Sequence, residues 1–599
     1  MRSSNIYKVL TILMNGSKTW LFFSVFFALI SGVEPIISLI LSKKLLDTII
    51  NLIDTKEFHY QTVLIIITLQ FLIIIFLSFL TKTQNFLTKK TENSLGLNIK
   101  SNIFSKVSNS PLSLIENHTY QNNLSRIQSS SGERFLAPLT EIFSLIKNLI
   151  TTISIGAYLL SLHWIFLLII LINTTAALIV NIKFGYKRFE LFRFHSITQR
   201  DIGYTSRLIL EPQFAKEIKM LNLHKYLIDR WSRKYEENSK DSLKLFSNFQ
   251  IATFMADILK GICYAINLIL AINITLKKNY KISDFVVITQ AIVQMQNSVN
   301  SITTNISNIF ENGLYLKEYF SFIEEKHILA DDTSLMKFPN SIKKGITVNH
   351  LTFNYNQNSQ PVLNDITLNV NVGEKIAIVG ENGSGKSTLV KCLLGIYPIS
   401  QGEILIDDVP INNFSQDELN NNISILFQDF IKYPYTVSEN IGFGQISQIK
   451  NSELIKEVAK RTGADLFIDN LKMKYDTYLT QILYEGEDLS GGEWQKLALS
   501  RSIMRNSQIL ILDEPTSAMD PRSESDFYKN FREICNDKTT IFISHKLISL
   551  DFADRIIVMK SGNIIESGSL SELLEKNGEF KKLYSLQASQ ITQNYFSLV

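Results

Sequence analysis

Gly380-Glu381-Asn382-Gly383-Ser384-Gly385-Lys386-Ser387-Thr388 decides the fold of this chain, because it fits the pattern GxxxxGK[ST]. Lys375-Ile376-Ala377-Ile378-Val379 precedes it, a short apolar run predicted to be a buried strand. Leu389-Val390-Lys391-Cys392-Leu393-Leu394 follows and predicts the start of a helix. Strand, loop and helix in that order make a phosphate-binding loop. Its glycines let the backbone turn tightly and approach a polyphosphate, and the N–H groups at the helix N-terminus hold the anion. Lys386 is expected to reach the β- and γ-phosphates, and Ser387 to ligate Mg²⁺.

The partner parts lie downstream. Ile509-Leu510-Ile511-Leu512-Asp513-Glu514 is an apolar run ending in two carboxylates. A buried parallel strand has this form, with its polar residues at the carboxyl end where ligands sit. Asp513 is placed to hold Mg²⁺, directly or through water, and Glu514 to orient and polarise an attacking water. Between loop and strand lies Leu489-Ser490-Gly491-Gly492-Glu493. His545 follows a second apolar run, Thr540-Ile541-Phe542-Ile543-Ser544.

With these residues the sequence resembles the ABC transporter ATPases. Leu489 to Glu493 match the family's signature motif, with Glu493 where Gln is frequent. His545 matches its switch histidine, Gln428 its Q-loop glutamine, Ser517-Ala518-Met519-Asp520 its D-loop, and Tyr355 its adenine-stacking aromatic. The resemblance covers residues 340–590. It implies ATP contacts at Tyr355, at Gly380, Glu381, Asn382, Gly383, Ser384, Gly385, Lys386, Ser387 and Thr388, at Ser490, Gly491, Gly492 and Glu493, and at Asp520. It implies catalytic roles for Glu514, His545, Lys386 and Gln428, and Mg²⁺ ligands at Ser387, Gln428 and Asp513. Tyr433 to Gly486 is expected to form the family's helical subdomain.

At 599 residues the chain is too long for one core. Its net charge of +4 points to no nucleic-acid partner. Cys263, Cys392 and Cys535 are scattered, with neither metal spacing nor a disulfide framework, which fits a reducing compartment. Apolar runs dominate the first half. Spans are expected over Trp20–Leu41, Thr62–Leu80, Phe135–Leu160, His163–Ile182, Phe249–Leu276 and Ile282–Phe310, each long enough for a hydrocarbon core of about 30 Å. Thr81–Glu133 and Lys183–Asn248 are long polar stretches with amphipathic periodicity. They carry far more Lys and Arg than the loops on the opposite side, which puts them, both termini and the ATPase on the cytoplasmic side of a bacterial cell membrane. The expected architecture is an α-helical six-span transmembrane domain of the ABC exporter type over 1–330, then an α/β P-loop ATPase domain with a helical subdomain over 340–590. Exporters of this type rest short coupling helices on the ATPase, and the matching positions are Pro111–Glu116 and Glu211–Lys216. The tail after Ser585 is polar and expected to be disordered.

Span six has a polar face. Gln290, Gln294, Asn297, Ser301, Asn305 and Asn308 recur at helical spacing and predict the wall of a wet cavity, with interhelical hydrogen bonding as the alternative. Asp257 and Lys260 lie one turn apart in span five and are placed to pair.

In the family one chain's phosphate loop and another's signature motif sandwich ATP, so the resemblance implies a homodimer with two shared sites. Ile423–Tyr433 and Ser490–Leu499 resemble the nisin-type lantibiotic exporters; multidrug exporters usually have Arg where Lys496 stands. The expected function is therefore ATP-driven export of a lantibiotic- or bacteriocin-type peptide, with membrane lipid and a modification enzyme of the same pathway as further partners. The residues before Trp20 are too few for a protease domain, so the peptide is expected to leave with its leader attached. The alternatives are a lipid or multidrug exporter, and then a gated channel or sensor on the same fold, against which the intact Glu514 stands.

Overall fold

A computed structural model describes residues 2–55, 60–128, 132–278, 280–325, 336–355, 360–544 and 546–596. The chain divides into two compact units, Met1–Ser110 with Leu114–Lys326, and Pro111–Ser113 with His327–Val599.

The first unit is helical. α1 (Arg2–Gly16) leads into α2 (Lys18–Thr55), which runs through Pro35, and then α3 (Tyr60–Ser108). The short α4 (Leu112–Ile115) and α5 (His118–Gln128) precede α6 (Gly132–Leu162) and α7 (Ile165–Leu210). α8 (Pro212–Met220), α9 (His224–Lys277) and α10 (Ile282–Glu324) complete the set. The two expected short helices are thus present as α4 and α8. Glu211 is extended (φ −82°, ψ 129°), so Pro212 opens α8 at a position where its missing N–H costs nothing.

Helices α2, α3, α6, α7 and α9 are long and apolar enough to cross a membrane. Exposed Leu64, Ile65, Phe71, Leu72 and Ile74 cover α3, which is how a lipid-facing helix looks without lipid. The expected sixth span lies on α10, which has length to spare at 43 residues but, diluted by its amides, is not among the described helices apolar enough to cross a membrane. Those amides do not share one environment. Asn305 is buried; its Oδ1 accepts from Ser144 Oγ at 3.2 Å and its Nδ2 donates to Glu141 Oε2 at 2.8 Å, both on α6. Asn308 Nδ2 donates to Glu141 Oε1 of α6 at 2.9 Å. Gln290 and Asn297 are exposed. The predicted single wall therefore splits: its C-terminal end is glue between helices, and its middle is open. The expected Asp257–Lys260 pair does not form either, because Lys260 Nζ donates to Asn297 Oδ1 at 3.1 Å instead.

The second unit holds two sheets. The strands are β1 (Ile346–Phe353), β2 (Leu363–Val370), β3 (Lys375–Gly380), β4 (Gln401–Ile406), β5 (Val409–Pro410) and β6 (Ile423–Leu426). β7 (Ile509–Asp513), β8 (Thr539–Ile543), β9 (Arg555–Lys560) and β10 (Asn563–Gly568) follow. One sheet, ordered β2-β1-β4-β5, is antiparallel. The other is ordered β10-β9-β3-β8-β7-β6, with only β10 antiparallel. All five residues of β7 and of β8 are buried, as strands covered on both faces must be. Each fully buried Ile or Leu there contributes about 1.5–3 kcal/mol of transfer free energy. The parallel arrangement brings the carboxyl ends of β3, β6, β7 and β8 to one edge, where the site lies.

The helices of this unit are α11 (Lys386–Leu393), α12 (Gln416–Asn422), α13 (Val437–Gly442), α14 (Ser452–Thr462), α15 (Asp465–Ile468) and α16 (Gly491–Met504). α17 (Pro521–Ile534), α18 (Leu547–Leu550), α19 (Leu570–Glu575) and α20 (Glu579–Phe596) follow. Tyr433–Gly486 is less helical than expected, since after α15 the chain is mostly turn up to α16. The tail expected to be disordered is helical in α20 as far as Phe596.

Candidate nucleotide site

β3 delivers the chain to the phosphate loop, and α11 carries it away. Gly380 has φ +154°, and a Cβ there would lie 2.2 Å from the Met559 carbonyl of β9, so no side chain fits. Gly385 (φ +102°) opens α11 from the left-handed region that glycine enters without strain. Lys386 is buried and donates to the carbonyls of Gly380 and Glu381, both at 2.8 Å. Burial lowers the pKa of its ammonium, while the charges of Glu514 and Asp513 oppose that shift. Ser384 and Thr388 are buried beside it, and the Thr388 hydroxyl lies 3.1 Å from that of Tyr355. Tyr355 is 45% exposed and packs edge-on against Phe353 and Tyr397, leaving ring surface open beside the loop.

Asp513 ends β7, hydrogen-bonded in register beside β8, and is almost fully buried. Burial raises its carboxyl pKa, and a hydrogen bond with Ser387 pulls it back. The next residue, Glu514, takes φ +50°, an uncommon conformation for a residue with a side chain, and its N–H donates to the Ile543 carbonyl at 3.1 Å. The turn sends its carboxylate to Gln428, whose Nε2 donates to Oε2 at 2.8 Å. Phosphate loop, Asp513, Glu514 and Gln428 therefore converge. Ser387, Asp513 and Gln428 offer a hydroxyl, a carboxylate and an amide oxygen, a hard-oxygen set that suits Mg²⁺ with waters completing its shell.

Ser490 caps α16. It accepts from Glu493 N at 3.4 Å, and the Glu493 carboxylate accepts from Ser490 N at 2.8 Å. This reciprocal box explains why Glu serves where the signature pattern often has Gln. The acid also suits the positive end of the helix dipole. A Cβ on Gly492 would lie 3.2 Å from the Ala518 carbonyl, so the signature turn sits closely against Ser517–Asp520. Asp520 caps α17 through the N–H groups of Arg522 and Ser523, each at 3.0 Å. Hydrogen bonds from Ser523 and these backbone groups hold its carboxyl down at about 2.

Sequence reasoning missed Gln495. It is buried in α16, and Nε2 donates to the Glu514 carbonyl at 2.9 Å and to Ser517 Oγ at 3.2 Å. Its Oε1 accepts from Ala518 N at 2.9 Å, so one side chain ties the signature helix to the segment after β7. Arg501 was missed as well. Its guanidinium donates to the Asn440 and Ile431 carbonyls and stacks on Tyr433 at 4.6 Å, joining α16 to the chain after Gln428. A glutamine or arginine within an otherwise apolar helix face was the available signal. His545 lies outside the described residues; the neighbouring Lys546 donates to the Thr516 carbonyl at 3.0 Å. Among the described residues no hydrogen bond joins Gly380–Thr388 to Ser490–Glu493.

The family model for the ABC transporter ATPase matches residues 363–517, and that for the ABC transporter transmembrane region matches 21–299. The subtilin transport ATP-binding protein SpaT of Bacillus subtilis is 30% identical over 561 residues, 93% of this chain and 90% of the relative. The nisin transport ATP-binding protein NisT of Lactococcus lactis subsp. lactis is 27% identical over 93% of this chain and 91% of its own length. An ATP-dependent lipid A-core flippase of Hahella chejuensis is 28% identical over 81% of this chain and 80% of that protein. A bacterial Atm1-family ABC exporter solved with ATP bound shares the fold, with a TM-score of 0.79 at 20% identity over 96% of this chain and 99% of that one. With a phosphate loop facing two strand-end carboxylates in one unit and membrane-length helices in the other, and with these matches, the chain belongs to the ABC exporters, multi-pass membrane proteins that bind ATP and couple its hydrolysis to transport.

Proposed function

We propose that this exporter moves a ribosomally made peptide of the lantibiotic or bacteriocin type outward across the bacterial cell membrane. The observation that carries this is the extent of similarity. The alignment to the subtilin transport protein runs over 561 residues and so must include the membrane helices, where cargo is handled. A putative multidrug export protein of Staphylococcus aureus is 39% identical, but over only 269 residues, 45% of each chain. A stretch that short has room to fall wholly within the ATPase, which every exporter shares. The lipid A-core flippase, at 81% coverage, keeps lipid export as the second reading.

The working unit is a homodimer of chains, each divided into a membrane domain over 1–330 and an ATPase domain over 340–590, with the ATPase and both termini in the cytoplasm. One phosphate loop and one signature turn per chain, with no hydrogen bond between them among the described residues, support two ATP sites shared between copies. In each, Tyr355 stacks the base, the loop from Gly380 to Thr388 holds the phosphates, and Ser490–Glu493 of the other copy closes the site. Ser387, Asp513 and Gln428 would hold Mg²⁺, which when bound would neutralise phosphate charge. Glu514 takes the proton of the attacking water as its oxygen bonds to the γ-phosphorus and ADP leaves. His545 is assigned to the γ-phosphate by the family motif.

The test is ATPase stimulation in nanodiscs. A leader-bearing lanthionine-type precursor should raise the rate saturably, whereas lipid A-type lipids and hydrophobic dyes should not. Stimulation by lipid or dye with none by peptide overturns the reading.

A further inference from the structure

Among the described residues, the first unit buries or pairs the carboxylates of its spans, with one exception. Glu34 in α2 has the Lys147 ammonium as its electrostatic partner, and Glu141 in α6 accepts from Asn308 at 2.9 Å. Asp257 in α9 is exposed, and no cation among the described residues pairs with it. It lies eight residues beyond Phe249, the inner end of its span, hence about 12 Å into the hydrocarbon at 1.5 Å per residue. A free carboxylate at that depth costs at least about 2.5 kcal/mol against lipid, so this face of α9 meets water or protein.

Its natural counter-ion has been taken away. Lys260 sits one turn further along the same helix, close enough to pair, yet its ammonium is held by Asn297 Oδ1 of α10 at 3.1 Å. Asn297 is exposed, and Gln290 two turns earlier on α10 is exposed too. Asp257, Lys260 and Asn297 thus form an open polar strip across two membrane helices: a negative group whose partner one turn away is tethered aside by a neutral amide. Such a strip attracts a positively charged group from outside the chain and offers neutral groups only hydrogen bonds.

We propose that Asp257, kept free by the Lys260–Asn297 bond, selects cargo carrying a positive charge in the translocation path. This rests on the peptide reading above and names its class: a cationic peptide, whose Lys or Arg ammonium or guanidinium docks on Asp257 as it crosses. Asp257 is then a specificity-determining residue, in the other unit from the phosphate loop and without effect on basal hydrolysis.

The experiment measures peptide-stimulated ATPase of the full-length protein in nanodiscs. The probes are a synthetic amphipathic peptide with several lysines and the same peptide with glutamines in their place. The wild type should favour the lysine form in half-maximal concentration. Asp257→Asn should shrink that preference about fivefold, the effect of one partly wet ion pair, with unchanged basal rate. Asn297→Ala should shrink it as well, because Lys260 is then released to neutralise Asp257, while Asp257→Glu should keep it. A purely structural role would move both peptides alike. If the preference survives in both Asp257→Asn and Asn297→Ala, the inference falls while peptide export stands. If neither peptide stimulates the wild type and lipid does, the peptide reading falls and takes the inference with it.

Discussion

Replacing Glu514 by Gln separates chemistry from structure at this site. The substitution keeps shape and size, and an amide oxygen can still accept from Gln428 Nε2, which now lies 2.8 Å from Oε2. The left-handed backbone at φ +50° is set by the turn from β7 and its bond to the Ile543 carbonyl, both of which survive. What disappears is the ability to take a proton. Loss of a positioned general base typically costs 10²–10⁴-fold in rate, or about 2.7–5.4 kcal/mol of barrier at 1.36 kcal/mol per decade. ATP binding should change little, since the buried Lys386 and the loop lie on other elements. The assay is steady-state ATPase in nanodiscs beside ATP binding by a fluorescent analogue. A fall of at least about a hundredfold in kcat with affinity kept within about threefold is expected. Hydrolysis within about threefold of the parent would refute the assignment of Glu514 as base.

Three further outcomes follow from the same geometry. Gln495→Leu removes three hydrogen bonds, and the lost bond to the half-buried Glu514 carbonyl should cost about 1–3 kcal/mol; a lower unfolding temperature with reduced kcat is expected, and an unchanged kcat would contradict the tie. Asp513 has its carboxyl pKa raised by burial, so its ionised form is disfavoured in the folded state; at neutral pH Asp513→Asn should raise the unfolding temperature of nucleotide-free protein while abolishing hydrolysis. As pH falls towards the raised pKa, the wild type gains the proton and that advantage should narrow; a lower midpoint for the variant at neutral pH would count against the reasoning. Cys at Ser384 and at Ser490, in a protein lacking Cys263, Cys392 and Cys535, should crosslink two chains on oxidation with ATP in a Glu514→Gln background, and crosslinks confined to single chains would exclude shared sites.

Local chemistry was legible in the sequence, and long-range pairing was not. The phosphate loop, the strand ending in Asp513-Glu514 and the signature turn at Ser490 each depend on neighbours within a few residues, so their spacing reports their structure. Glu141 hydrogen-bonds Asn308 across 167 positions, and no pattern within α10 distinguishes that amide from the exposed Asn297. Lys260 was read as a partner of Asp257 because helical spacing knows nothing of α10 alongside. Gln495 was hidden in the same way: a helix reading gives its face, but the carbonyl of Glu514 and the N–H of Ala518 reach it only through packing. The positive φ of Glu514 follows from the register of β7 on β8, which sequence alone does not supply.

Transport itself is the most direct test. Inverted membrane vesicles containing the wild-type protein are given ATP and a radiolabelled, leader-bearing lanthionine-type precursor, and lumenal counts are followed beside vesicles containing Glu514→Gln. The account predicts ATP-dependent peptide uptake by the wild type and none above background by the variant. Uptake of labelled lipid or dye in place of peptide by the wild type, or equal peptide uptake by both, would contradict it.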